Sequence, residues 1–92
     1  MGKLGINQKL LFEEVNNQES IIVDSDRGLT HVLNKTATIL FKLCNATTID
    51  EAIDKFANLF NGNSEEKEQI RKDALEQIND FIENGLVSIV EE

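Results

Sequence analysis

Three kinds of residue in this chain could do chemistry, and the spacing of each argues against it. His31 is the only histidine and Cys44 the only cysteine. A general base needs a positioned partner, and a metal ion needs several ligands. A strand and a helix separate these two residues in the pattern read below, so they make neither a nucleophile–base pair nor a metal site. Cys44 falls on the apolar face of a helix, the place of a small core thiol rather than a reactive one. The remaining candidates are the paired carboxylates Glu13–Glu14, Glu65–Glu66 and Glu91–Glu92. Neighbours on a strand point to opposite faces, so Glu13 and Glu14 do not converge. Glu65 and Glu66 sit in the first turn of a helix, where acids complement the macrodipole. No glycine-rich loop follows a strand and opens a helix, which leaves phosphate cradling without support. The residues thus predict no catalytic centre, no metal site and no cofactor.

Bulk properties narrow the class further. At 92 residues with 40% hydrophobic content, the chain is expected to fold as one domain with one modest core. No apolar run approaches the roughly 20 residues needed to span a bilayer, and no signal-peptide pattern is visible. One cysteine permits no internal disulfide, and these features together predict a cytoplasmic protein. Acids outnumber bases 17 to 9, for a net charge of −8. A protein that grips phosphates needs a basic face, so the balance argues against nucleic acid and anionic membrane as partners.

The elements that must position any site follow from patterning. Residues 1–9 are polar and glycine-containing and read as a flexible tail, leaving a single domain over 10–90. "LLFEEV" (10–15), "SIIVD" (20–24) and 29–33 read as three short strands, with "NNQE" and "SDRG" as the turns of an antiparallel meander. Asn34 is a good N-cap. Ala37, Leu40, Phe41 and Cys44 then share one helical face, and Asn45 is expected to take the left-handed conformation that ends a helix. Thr48 with Glu51 forms a capping-box pattern opening a second helix. "NGNS" (61–64) breaks that helix, and Asn63 or Ser64 caps a third, which ends at Asn84–Gly85 with Leu86 placed for a Schellman contact. "LVSIV" (86–90) reads as a short strand or an extended tail. On the third helix, Ile70, Ala74, Leu75, Ile78, Phe81 and Ile82 cover an arc of roughly 140°. One edge of that arc, at Ile70 and Ala74 with Asp73 and Gln77 beside it, is expected to border a groove.

"LNKTATILFKLC" followed by "DALEQINDFIENGLV" resembles the small PqqD-like proteins, the peptide-recognition elements of ribosomally made, post-translationally modified peptides. The matching positions are Leu33, Asn34, Thr36, Ala37, Leu43, Cys44, Thr48, Asp73, Ala74, Gly85, Leu86 and Val87, in the family's order and across about residues 10 to 88. The chain departs from the family in having Asn45–Ala46 where Asp-Gly is usual, and Gln77 where a bulky apolar residue is usual.

The resemblance implies an α+β, winged helix-turn-helix-like domain, with a three-stranded antiparallel sheet followed by three helices. It implies a non-catalytic adaptor that binds the leader segment of a precursor peptide and presents it to a maturation enzyme, such as a radical S-adenosylmethionine enzyme or a leader peptidase. The leader would add as a strand to Leu29, Thr30, His31, Val32 and Leu33, in a groove beside Ile70, Asp73, Ala74 and Gln77. An edge strand offers unpaired backbone groups, which is the physics of strand addition. The same edge also leaves open a homodimer by edge-to-edge pairing. The alternative reading is a winged-helix transcription regulator, which shares the fold class. Charge separates the two, because the third helix carries seven acids against three bases, the wrong sign for a recognition helix among phosphates.

Overall fold

The structure is a computed structural model that describes residues 2–91; Met1, and Glu92 of the Glu91–Glu92 pair, lie outside the described residues. Its elements run β1 (Lys3–Ile6), β2 (Leu11–Glu14), β3 (Glu19–Asp24), β4 (Leu29–Asn34), α1 (Lys35–Leu43), α2 (Ile49–Ala57), α3 (Ser64–Glu83) and β5 (Val87–Val90). β2, β3 and β4 form an antiparallel meander in that order, and β1 pairs with β5 in a second, two-stranded sheet. The three strands and three helices expected from patterning are all present.

Local chemistry fixes where the helices start and stop. The Asn34 side chain accepts from the Ala37 N–H at 2.8 Å, so β4 passes into α1 with no loop between them. Thr48 and Glu51 satisfy each other's backbone N–H groups at 3.1 Å, completing the capping box of α2. Asn63 caps α3 by accepting from Glu66 N–H at 2.9 Å. At the other end Leu86 N–H donates to Phe81 and Gly85 N–H to Ile82, the two bonds of a Schellman motif. Gly85 takes φ +73° there.

Phe41 of α1 ties the layers together. Its ring stacks on Phe12 of β2 with centroids 5.4 Å apart and meets Phe81 of α3 edge-on at 5.5 Å. Ile22, Leu40 and Ile78 close the core around it. Cys44 is fully buried in the same core, as its helical face predicted. Burial pushes its thiol up to about 12, which leaves almost no thiolate at neutral pH.

Two expectations need correcting. Residues 1–9 are not simply a flexible tail: Lys3–Ile6 is a strand, registered with Lys3 opposite Val90 and Ile6 opposite Val87, and Leu4 is a buried core residue. Four residues that include a glycine give little strand signal by themselves. Their partner, β5, lies at the far end of the chain, and only the fold brings the two together. The left-handed residue after α1 is Ala46, with φ 60°, and not Asn45. The cause is again β1. Ala46 N–H donates to the Leu4 carbonyl at 2.8 Å and Leu4 N–H donates to the Thr47 carbonyl at 2.6 Å, so these bonds hold the loop's conformation.

Candidate peptide-binding edge and recess

The meander leaves two edges, β2 and β4, and its hydrogen-bond parity can be followed across the sheet. Val15 N–H donates to the carbonyl of Glu19 at 3.0 Å. These residues stand opposite each other in the register that pairs Glu14 with Ser20, so Glu19, Ile21 and Val23 turn their backbone groups toward β2. The alternate residues Ser20, Ile22 and Asp24 turn theirs toward β4, where they face Leu33, His31 and Leu29. Thr30 and Val32 are left with N–H and C=O groups aimed at the free edge. Asn34 has the same parity, but its carbonyl accepts from Thr38 Oγ1 at 2.8 Å.

The expected strand residues therefore play different parts. Thr30 and Val32 are exposed and carry the outward backbone groups. Leu33 is buried in the core, and Leu29 is exposed. His31 is half-buried, with its Nε2 buried and without a hydrogen-bond partner.

At the Asn34 end of β4 lies a recess of about 120 Å³. Ala37 and Leu40 of α1, Phe56 of α2 and Ala74 of α3 give it an apolar, buried floor. The two alanines reach no further than Cβ, which is why space remains between the helices. Asn34, Thr36, Asp73 and Gln77 make the polar rim, and Asp73 Oδ1 accepts from Gln69 Nε2 at 3.0 Å. Three of the four expected α3 residues, Asp73, Ala74 and Gln77, thus come together. Ile70 does not line the recess; it is half-buried against the core. Thr36, Ala37, Leu40 and Phe56 escaped sequence reasoning because helical periodicity identifies a buried face without saying where that face stays open. An alanine on it is the one available signal.

Among the described residues no group of three histidine, cysteine, aspartate or glutamate side chains could hold a metal ion. No helix of the described residues is long and apolar enough to cross a membrane.

In comparisons with known proteins, no curated protein matches the chain. The fold is similar to that of TbiB1 in complex with the TbiA(beta) leader peptide, with a TM-score of 0.74 at 10% identity over 91% of this chain and 94% of that one. The family described as Coenzyme PQQ synthesis protein D (PqqD) matches residues 19–87, three quarters of the sequence and every element from β3 to the start of β5, and the chain therefore belongs to the PqqD family.

Proposed function

We propose that this protein is a non-catalytic adaptor that binds the leader segment of a ribosomally made precursor peptide by strand addition to β4, and presents it to a modifying or processing enzyme. The observation that carries this reading is the character of the β4 edge. It runs for six residues without an acidic or permanently basic side chain, and Thr30 and Val32 point unpaired backbone groups outward beside a recess with an apolar floor. Natural sheets blunt exposed edges with charge or short length. β2 does both, with four residues that include Glu13 and Glu14; β4 does neither. The likeness to TbiB1, which was solved with a leader peptide, supports the same reading.

In this mode main-chain hydrogen bonds supply affinity and pockets choose sequence. The recess takes one apolar side chain of the leader, and Asp73 and Gln77 offer hydrogen bonds at its rim. The peptide-binding unit takes in β1 as well as residues 10–90, because Leu4 belongs to the common core. The partners are a precursor peptide and its maturation enzyme, of the radical S-adenosylmethionine or leader-peptidase kind, acting in the cytoplasm. A homodimer through β4 would compete for the same backbone groups.

The test is a titration of the protein with the leader of the precursor peptide encoded near its gene, followed by amide shifts. Binding in the micromolar to nanomolar range is expected, about −8 to −12 kcal/mol. The shifts should concentrate at Thr30, Val32 and the rim of the recess. Shifts confined to the exposed side of α2 would overturn the reading.

A further inference from the structure

His31 turns its side chain to the helix side of β4. Its cross-strand partner on β3 is Ile22, a fully buried core residue, and Leu33, two positions on and therefore on the same face, is buried as well. β4 is an edge strand, so the imidazole stands at the margin of the core. The residue is half-buried, and its Nε2 is buried with no hydrogen-bond partner among the described residues. A buried polar atom left unpaired destabilises a fold. An apolar side chain would pack on Ile22 without that penalty. The nitrogen is thus a cost to the free protein that an incoming partner can remove, and it lies on the strand proposed to receive the leader.

We propose that His31 is a specificity-determining residue of the β4 edge, its imidazole hydrogen-bonding a serine or threonine that faces it from the added leader strand. Backbone parity gives the position. Thr30 and Val32 carry the outward N–H and C=O groups, so a strand bonded to them sets one residue opposite His31 in a non-hydrogen-bonded pair. Such pairs bring the Cα atoms to about 4.5 Å, closer than hydrogen-bonded ones, with both side chains on one face. That face is the one the imidazole occupies. No bond holds Nε2, so the ring turns to the newcomer without breaking one. The chemistry of the partner follows from the site. A hydroxyl both donates and accepts, and it therefore satisfies Nε2 in either tautomer. A carboxylate is disfavoured by a molecule of net charge −8 that also sets Asp73 on the rim of the recess at the end of the same strand. An ammonium can only donate, and it loses far more hydration on entering. The recess fixes a second position. The next groove-facing residue of the leader lies opposite Leu33, nearest Asn34 and the recess. In the antiparallel pairing used throughout this sheet that residue precedes the hydroxyl residue by two. The recognised segment therefore reads apolar, any residue, serine or threonine. This inference rests on the adaptor reading.

The experiment uses the full chain and the synthetic leader of the precursor encoded near its gene. His31 is the sole histidine, so its ring resonances need no assignment. On saturation with the leader, the Nε2 nitrogen resonance should move together with the Thr30 and Val32 amides. A double-mutant cycle then pairs His31→Phe with alanine replacements along the leader. In wild type, replacing one serine or threonine should weaken binding about three- to tenfold, the range of a single hydrogen bond. Against His31→Phe the same replacement should change nothing. His31→Phe should melt no lower than wild type, whereas a purely structural histidine would lower the melting temperature and cost every leader variant alike. His31→Leu carries the cycle if the larger ring overpacks. A leader that binds at β4 with no position coupled to His31 would overturn the inference and leave the adaptor reading standing. The same holds for coupling to a residue without a hydroxyl, or to one at odd spacing from the apolar residue whose truncation costs most. Wild-type protein that ignores the leader removes both.

Discussion

Ser20 Oγ donates to Thr38 Oγ1 across 2.6 Å, joining β3 to α1 beneath the sheet. The direction is set by a second bond, because Thr38 spends its one hydroxyl proton on the Asn34 carbonyl at 2.8 Å. The relay runs from the middle strand to the last residue of the free edge, and Ser20 is fully buried. Ser20→Ala is expected to cost about 1 kcal/mol, a fall in melting temperature of roughly 4 to 8 °C for a domain this small. Thr38→Val removes both bonds, so the two changes should combine less than additively in a double-mutant cycle. Strict additivity would mean that the relay is energetically idle.

Backbone parity on β4 divides proline substitutions into two classes. Thr30→Pro and Val32→Pro delete N–H groups that face the free edge and should leave the fold largely intact. Each should weaken leader binding by about tenfold, near 1.4 kcal/mol. His31→Pro deletes an N–H that faces Ile22 inside the ladder and should lower the melting temperature instead. Thermal melts beside peptide titrations distinguish the classes. Full affinity in folded Thr30→Pro and Val32→Pro would exclude β4 as the docking edge.

Gly85 is constrained twice. Its φ of +73° suits only a residue without Cβ strain, and a Cβ there would stand 2.8 Å from Arg27 Nη2. Arg27 occupies that space because its Nη1 donates to the Asn84 carbonyl at 3.1 Å, pinning the β3–β4 turn to the end of α3. Gly85→Ala should lose about 1 to 2 kcal/mol from backbone strain and displace the guanidinium as well. With Arg27→Met already in place, the added loss should shrink toward the strain alone, as urea melts would record.

Acid pH should loosen the start of α2. The hydrogen bonds from Thr48, that of its backbone first, hold the Glu51 carboxyl below its ordinary value of 4.5. A carboxyl depressed in the folded state stabilises the fold above the unfolded value and ceases to do so as pH falls through the folded one. Glu51→Gln should therefore differ from wild type in urea melts at neutral pH, and the difference should vanish under strongly acid conditions. A gap that widens in acid would contradict this assignment. Thr48→Ala, which removes the cap itself, should cost about 1 kcal/mol at neutral pH.

Much of this fold was legible because its signals are local. Asn34, Thr48 and Asn63 each announce a helix within four residues, and Gly85 with Leu86 closes one in the same way. The meander was legible from three apolar runs and two turn sequences. β1 was not, because Lys3–Ile6 becomes a strand only by meeting Val87–Val90. The left-handed Ala46 follows from the same distant contact, so one unread pairing produced both errors. At the candidate site, Asp73, Ala74 and Gln77 could be placed beside a groove from the edge of an apolar arc. Phe56 could not, because its contribution depends on how α2 packs against α1 and α3, and no periodicity within one helix encodes that packing.

The β1–β5 clasp, with Lys3 opposite Val90, sets the first and last strands of the described residues side by side. A linker of a few residues could join Val90 to Lys3 without moving either strand, and the chain could then be reopened in the exposed 61–63 segment between α2 and α3. Such a circular permutant would keep both sheets and the free β4 edge. Its folding order would change, since the clasp, now the contact of greatest sequence separation, would become a local hairpin, while α2 and α3 would have to find each other from opposite ends of the chain.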